Sequence, residues 1–243
     1  MNTLKQITMF GLAIALSGCS SWYLSRVEPL QYRVSDTLSH AELHALIAPY
    51  KAHTDSLMNG IVGELPFDLE KARPNGNLGL WMADACRNQA EKKLGYEVDL
   101  ALLNYGGTRR PYLQKGPVSL GMMYEVMPFE NQMVVLKMKG DLLYEILAHA
   151  AQEGGEPISS GTLVSVDSDK IRVTVQGEAV LNGREYTLVT NDYMYNGGDG
   201  YDMMKKALGI EYLGSLRDAL IDEMKMGSLF PEGLTIRWEG LND

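Results

Sequence analysis

The segment between residues 162 and 190 constrains the fold most, because three strand-like runs follow one another there without an intervening helix. These runs are rich in β-branched and apolar residues: 162–166, 171–175 and 186–190. A fourth run, 133–138, precedes them, and between it and the others lies 141–151, where apolar residues recur at helical spacing. Helices and strands are thus interspersed without the strict alternation of a doubly wound parallel sheet. The sequence predicts an α+β fold.

Helix and turn signals mark the remaining elements. Ser39 and Glu42 form a capping-box pattern, and apolar residues then repeat at helical spacing up to Asn59-Gly60. Two further helices are predicted at 77–93, ended by Gly95, and at 215–225. Further predictions are a buried strand at 98–103, a hairpin turn at Asn182-Gly183 with positive backbone angles, and a closing strand at 234–238. We therefore predict one folded domain over residues 39–243.

The amino end has the pattern of an export signal. Lys5 precedes an apolar run from Ile7 to Leu16, which is about half the roughly 20 residues that a membrane-spanning helix needs. Cys19 follows directly after Leu16-Ser17-Gly18, as at the processing site of bacterial lipoproteins. We predict a signal peptide over 1–18, lipidation of Cys19, a tether over 19–38 and anchoring in the bacterial cell envelope. The alternative is an ordinary cleaved signal that leaves a free cysteine.

Charge and cysteine content exclude several kinds of function. Residues 19–243 contain 21 basic and 31 acidic side chains, a balance that disfavours nucleic-acid binding and polybasic membrane contact. An anionic ligand would have to be bound by a few local arginines. Cys86 is the other cysteine of the chain, so no intramolecular disulfide is possible once Cys19 is lipidated, and we predict that Cys86 is a buried apolar residue.

Three loops combine glycine or proline with polar and aromatic residues at the ends of predicted strands: 104–110, 127–131 and 191–201. In the first loop, adjacent glycines allow a ligand to approach the backbone, and Arg109 offers a planar fork for phosphate or carboxylate oxygens. Taken alone, this loop is more typical of a plain surface turn, and Phe129 in the second loop is more typical of a core residue. The third loop is rich in glycine, so it could place an aromatic ring beside a ligand and direct a carboxylate toward the hydroxyl groups of that ligand. A calcium site on Asp192 and Asp199 is the alternative.

In order and spacing, the three loops resemble the carboxyl-terminal domain of the 5'-nucleotidase family. That family reads Asn-x-Gly-Gly-x-Arg, then Pro-Phe, then Asn-Gly-Gly-Asp-Gly followed by an aromatic residue; this chain has Asn104 to Arg109, Pro128-Phe129 and Asn196 to Tyr201. Leu80 stands where the family pattern has asparagine. The resemblance covers nearly everything after residue 40, and it implies a layered fold with mixed sheets flanked by helices.

The resemblance also implies a role for individual residues in binding a nucleotide or nucleotide sugar. Phe129 and Tyr193 would stack on the two faces of the base, Arg109 would bind phosphate, Asn104 would hydrogen-bond the base edge, and Asp199 would accept hydrogen bonds from ribose. The matching positions Gly106, Gly107, Asn196 and Gly198 complete the predicted binding set. Arg110 or Arg87 would serve as a second phosphate-binding arginine.

Family members hydrolyse phosphate esters with two metal ions held by Asp-x-His, Asn-His and His-x-His elements of a separate amino-terminal domain. None of these elements occurs in the printed sequence, and His40, His44, His53 and His149 are predicted to be surface helix residues. We therefore expect no catalytic residue, metal site or cofactor in this chain. The first hypothesis is that a separate metallophosphatase supplies the divalent metals and the hydrolysis. The alternatives are a non-catalytic nucleotide-binding lipoprotein and a scaffold that binds nothing.

Overall fold

The computed structural model describes residues 40–168, 170–227, 230–231 and 235–241. The predicted signal peptide, the lipidated Cys19, the tether and the Ser39 cap lie outside these ranges. None of the helices in the described ranges has the length and apolar character needed to cross a membrane.

The order of elements mixes short strands with helices of very different length. In chain order they are α1 (Ala41–Met58), β1 (Ile61–Leu65), β2 (Leu69–Glu70), α2 (Asn77–Leu94), β3 (Leu100–Ala101), β4 (Tyr112–Leu113), β5 (Gly116–Ser119), α3 (Leu120–Val126), β6 (Gln132–Lys139), α4 (Gly140–Gln152), β7 (Thr162–Asp167), β8 (Lys170–Val175), β9 (Glu178–Ala179), β10 (Glu185–Asn191), α5 (Asp192–Tyr195), β11 (Gly209–Ser215), α6 (Leu216–Lys225) and β12 (Trp238–Glu239). Short 3-10 turns occupy Tyr105–Gly107, Gly198–Gly200 and Asp202–Lys206.

The central sheet has the strand order β11-β6-β10-β3. Strand β6 is antiparallel to both of its neighbours, whereas β3 runs parallel to β10, with Leu100 opposite Leu188. Strand β3 is shorter than the predicted strand 98–103, because the Leu102 N–H bonds the Val189 carbonyl but the Leu103 N–H turns to the Pro157 carbonyl. The edge strand β11 was not predicted. Its first four residues are exposed, and the alternation of Ile210 and Tyr212 with Gly209 and Glu211 stops at Leu213.

The core forms two layers, one on each face of the central sheet. Successive side chains of a strand point to opposite faces, and β6 divides between the two hydrophobic clusters accordingly. Met133 and Val135 pack in the cluster that contains α2 and α6, while Val134, Leu136 and Met138 pack with α4 and β7. Each fully buried aliphatic side chain contributes about 1.5–3 kcal/mol to stability. The predicted α+β class, with layered, mixed sheets flanked by helices, is confirmed.

A second sheet, ordered β12-β7-β8-β9, corrects two predictions. The hairpin turn lies at Gln176-Gly177, where both residues have positive φ, and it joins β8 to β9. Asn182-Gly183 does form a turn, but neither residue has positive φ, and the flanking strands belong to different sheets. The closing strand pairs later than predicted, at Trp238–Glu239, parallel to β7.

The predicted helices agree with the structure in position. Helix α2 begins at Asn77 and ends before Gly95, whose φ of 75° is the left-handed conformation that glycine favours at a helix end. Within α2, Leu80 and Cys86 are buried, and burial raises the pKa of the Cys86 thiol. Helix α6 begins after Ser215, whose side chain accepts the Asp218 N–H as a helix cap. Helix α1 has no buried residue, so its predicted apolar face is exposed.

Candidate nucleotide site

Strand polarity brings the three loops to one edge of the central sheet. Parallel β3 and β10 both end at this edge, so the loops that follow them, at 104–110 and 191–201, are neighbours. Strand β6 is antiparallel to β10 and begins at the same edge, with Met133 opposite Asn191, so the loop 127–131 that precedes β6 joins them. The sheet thus gathers segments that lie almost one hundred residues apart in sequence.

The first loop turns sharply after β3. Asn104 is buried, and a 3-10 turn follows it in which the Gly107 N–H bonds the Asn104 carbonyl over 3.1 Å. A Cβ atom at Gly107 would lie 3.0 Å from Oδ1 of Asn104, closer than side chains normally approach, so glycine suits this position. The Arg109 N–H bonds the Val126 carbonyl over 2.9 Å, which directs the next residues toward the second loop.

A chain of side-chain hydrogen bonds joins the first loop to the third. Asn191 caps α5 by accepting the Met194 N–H, and its Nδ2 donates to Oδ1 of Asn104 over 3.0 Å. Nδ2 of Asn104 in turn donates to Oδ2 of Asp199 over 2.9 Å, and the Tyr193 hydroxyl donates to Oδ1 of the same carboxylate over 2.9 Å. Asn104 therefore orients the Asp199 carboxylate.

Asp199 and Gly198 both depend on neighbours that set their conformation. Asp199 has φ 53° and ψ 28°, and its carbonyl accepts a hydrogen bond from Nε2 of His149 over 2.9 Å. His149 also packs edge to face on the Tyr201 ring, with 4.5 Å between centroids. His149 lies on helix α4, as predicted, and is half-buried beneath the third loop. A Cβ atom at Gly198 would overlap the Tyr193 ring.

The three loops enclose one cavity of about 250 Å³. Its lining includes seven of the nine predicted binding residues, together with Asn131, which was not predicted: Asn104, Gly106, Gly107, Arg109, Phe129, Asn131, Tyr193 and Asp199. Asn196 is exposed beyond the end of α5. Gly198 does not line the cavity, but its lack of a side chain leaves space for the Tyr193 ring. The Arg109 guanidinium lies over the Phe129 ring, 5.0 Å from its centroid.

The two candidates for a second phosphate-binding arginine lie elsewhere. Arg110 pairs with Glu125, and Arg87 pairs with Glu91 and donates to the Ser160 carbonyl. Within the described ranges, Arg109 takes part in no ion pair, so its charge is available to a ligand.

Two other cations approach the first loop. Nζ of Lys71 lies 3.9 Å and Cζ of Arg73 lies 4.5 Å from the centroid of the Tyr105 ring, and Lys71 donates to the Thr108 carbonyl over 2.8 Å. Burial, followed by repulsion from Arg109 and Arg73, lowers the pKa of Lys71. The Lys71-Ala72-Arg73 sequence gave no local signal of this role, because the contact forms only when the segment before α2 packs beside the first loop.

A buried carboxylate lies behind this loop. Glu156 is 2% exposed, accepts the Tyr105 N–H and pairs with Arg73 over 3.0 Å. Burial raises the pKa of Glu156 to about 7, although the Tyr105 N–H and Arg73 oppose the shift. Glu156 thus holds the backbone of the first loop and one of its cations.

Metal ligation was the alternative interpretation of the third loop. Asp192 accepts the Gln132 N–H over 2.9 Å and does not line the cavity. In the part of the chain that the structure describes, no three His, Cys, Asp or Glu side chains are grouped so that they could hold a metal ion. Asp192 and Asp199 therefore do not form a calcium site with a third residue of these types there.

Comparisons with known proteins agree with the geometry. Residues 57–206 match the model of the family described as 5'-nucleotidase, C-terminal domain. The NAD 5'-nucleotidase of Haemophilus influenzae is 28% identical over 200 residues, which cover 68% of this chain and 32% of that protein. The cell wall protein Lmo0130 of Listeria monocytogenes is 24% identical over 237 residues, which cover 87% of this chain and 30% of that protein.

A solved structure shows the same architecture. The 5'-nucleotidase precursor from Thermus thermophilus superposes with a TM-score of 0.70 at 27% identity, covering 83% of this chain and 43% of that one. The chain spans about a third of the length of the two curated relatives and less than half of this structural relative.

Proposed function

We propose that this chain, which belongs to the family of 5'-nucleotidase C-terminal domains, is the nucleotide-recognition half of a phosphoester hydrolase. Its ligand is a nucleotide or nucleotide sugar, and a separate metallophosphatase chain supplies metal-dependent hydrolysis. The observation that carries this proposal is the cavity at the sheet edge, where two aromatic rings, an arginine without an ion-pair partner in the described ranges and an oriented carboxylate converge.

Each part of a nucleotide finds a matching group in this cavity. The side chains of Phe129 and Tyr193 are both exposed at the cavity, and stacking on an aromatic face contributes about 1–3 kcal/mol per base while tolerating different bases. Asp199 keeps free lone pairs after accepting from Asn104 and Tyr193, because an ionised carboxylate has about four acceptor sites. These remaining acceptors suit the ribose hydroxyl groups.

The phosphate is assigned to the cationic side of the first loop. Arg109 presents a fork for phosphate oxygens. Lys71 and Arg73 do not line the cavity, but burial, followed by repulsion from Arg109 and Arg73, lowers the pKa of Lys71, so its cation lies near both arginines. A phosphate placed there would relieve this repulsion. The pair Lys71 and Arg73 thus replaces Arg110 and Arg87 as the proposed second source of positive charge.

The proposed location is the bacterial cell envelope, with Cys19 as the lipid anchor. Support comes from the apolar run from Ile7 to Leu16 that precedes Cys19 and from the Listeria relative, which is named a cell wall protein. Several acyl chains, at about 0.8 kcal/mol per buried methylene, would hold the protein at the membrane surface. A metallophosphatase partner would meet it there.

Calorimetry on the full chain in detergent micelles tests recognition. We expect a nucleoside monophosphate to bind, and Arg109→Ala to weaken binding at least about 10-fold through loss of a charge-assisted contact. Arg110→Ala is the matched control, because this neighbouring arginine pairs with Glu125 outside the cavity. If no nucleotide binds, or if both variants behave alike, the recognition proposal is wrong.

Hydrolysis is tested separately by phosphate release. Adding this chain to a purified metallophosphatase encoded near it should increase the release of phosphate from nucleoside monophosphates. Tight binding without any such increase would favour the alternative, a non-catalytic nucleotide-binding lipoprotein.

A further inference from the structure

We propose that Arg217 is a positioning residue that fixes the base-stacking ring of Phe129. This inference rests on the proposed function, since it concerns the same cavity. Arg217 lies at the start of α6 and does not line the cavity itself. It lies 88 residues from Phe129 in sequence and reaches the second loop because β11 pairs with β6, with Ser215 opposite Gln132.

The contacts of Arg217 converge on the backbone of the second loop. Its Nη1 lies 3.3 Å from the Met127 carbonyl and 3.4 Å from the Phe129 carbonyl, so one guanidinium nitrogen holds the loop on both sides of Pro128. Nη2 donates to Glu130 over 2.6 Å. The guanidinium also stacks on the Tyr124 ring at 4.0 Å, which fixes its plane.

The position of the Phe129 ring depends on this backbone more than on side-chain packing. Phe129 is 37% exposed, so the core does not enclose its ring. The far end of the loop is held independently, because the Leu216 N–H bonds the Asn131 carbonyl and the Gln132 N–H bonds Asp192, next to Tyr193. Before these anchors, Arg217 contacts the carbonyl of Phe129 itself.

General stability explains Arg217 poorly. The side chain is 5% exposed, and its Nε has no hydrogen-bond partner in the described ranges. Its ion-pair partner Glu130 is largely exposed, and exposed carboxylates add little to a pair. Because Glu130 lies in solvent, replacing Arg217 would leave no buried charge without a partner. A role in placing the ring accounts for the carbonyl contacts.

The test compares a ligand that has a base with one that lacks it. We expect Arg217→Met to weaken adenosine monophosphate binding about 10-fold, as for partial loss of one stacking face, and to change ribose 5-phosphate binding less than about 2-fold. Glu130→Gln is the matched control, since it removes the ion pair but leaves both carbonyl contacts, and both affinities should stay within about 2-fold.

The inference is overturned if Arg217→Met weakens both ligands equally, which indicates a general structural role, or weakens neither. If Arg217→Met does not fold, as judged by its circular dichroism melting curve, Arg217→Lys replaces it. Lysine keeps the charge but cannot span both carbonyls and stack on Tyr124, so the same selective loss is expected. Failure of the proposed function is recognised separately, because the unmodified protein would then bind no nucleotide.

Discussion

The hydroxyl of Tyr193 donates a hydrogen bond to Oδ1 of Asp199 over 2.9 Å, which links an aromatic wall of the cavity to its carboxylate. The bond raises the pKa of the Tyr193 hydroxyl, because the neighbouring carboxylate favours the protonated phenol. The ring that would stack on a base and the group that would bind ribose are therefore placed as one unit. A phenylalanine at this position would stack equally well, but the Asp199 carboxylate would then keep the hydrogen bond from Asn104 and lose the one from residue 193.

This link predicts different effects for two substitutions of Tyr193. Tyr193→Phe keeps the ring and should weaken nucleotide binding about 3-fold, since one hydrogen bond contributes roughly 0.5–1.5 kcal/mol. Tyr193→Ala also removes the stacking face and should weaken binding about 10- to 100-fold. Calorimetric titration with a nucleoside monophosphate measures both. Tyr212→Ala, at an exposed tyrosine of β11 outside the cavity, should have no effect, and an equal loss in Phe and Ala variants would contradict the stacking role.

Gly198 predicts a steric effect on the same ring. A methyl group there would overlap the Tyr193 ring, whose exposed side chain can swing away, so Gly198→Ala should cost little stability but weaken nucleotide binding about 10-fold. Gly183→Ala is the matched control, because nothing lies within 4 Å of its added Cβ and its φ is not positive. Thermal melting and nucleotide titration of the two variants separate stability from binding. Undiminished affinity in Gly198→Ala would show that the ring position is unimportant.

His149 predicts a selective effect on ribose recognition. His149→Phe keeps the edge-to-face contact with Tyr201 but removes the donor to the Asp199 carbonyl, so Asp199 loses a restraint on its left-handed conformation. We expect about 3- to 10-fold weaker binding of a nucleoside, in line with one lost hydrogen bond, and unchanged binding of inorganic phosphate. His53→Phe on the exposed helix α1 is the control. A parallel loss for both ligands would argue against this role.

The raised pKa of Glu156 leads us to expect that the free energy of unfolding depends on pH. Its pKa in the folded protein is about 7, above the ordinary value of 4.5, so its contribution to stability is fully present below about pH 4.5 and is lost as pH rises through 7. The free energy of unfolding of the natural protein should therefore fall across this range relative to Glu156→Gln, by about 3 kcal/mol at most. Glutamine still accepts the Tyr105 N–H.

Urea unfolding at pH 4.5, 6 and 8 measures this difference, and using the difference cancels the opposing slopes of other carboxylates. Glu97→Gln removes the same charge from an exposed side chain elsewhere in the chain and should follow the natural protein closely. If Glu156→Gln runs parallel to the natural protein at all three pH values, folding does not shift the pKa of Glu156 and the predicted coupling is absent.

Local sequence patterns predicted the helices well, because capping residues and apolar periodicity act within a few residues. Ser215 and Gly95 mark the bounds of α6 and α2 as expected. The hairpin was placed wrongly because Asn182-Gly183 is the stronger turn motif, whereas pairing of β8 with β9 requires the turn at Gln176-Gly177. The position of the hairpin turn depends on which strands pair, and a local sequence pattern does not determine strand pairing.

The residues of the candidate site also fall into two groups: those that local motifs predicted and those that only the folded structure shows. The loop motifs identified the lining residues because each motif is short: glycines lie beside Arg109 in the first loop and beside Asp199 in the third. His149, Glu156 and Arg217 were not identified, since each reaches the site through contacts 50 or more residues away in sequence. Only the assembled sheet edge reveals which side chains support the loops from behind.

The polarity of the central sheet has a practical consequence for work on this protein. All three cavity loops lie at the edge where β10 ends, whereas the exposed turn at Asn182-Gly183 precedes the start of β10 at Glu185 and so lies at the far side. A fluorophore, affinity handle or surface linkage introduced at Asn182 would leave the ligand entrance open. Immobilising the chain through that turn would also present the cavity outward, toward whichever enzyme is added in solution.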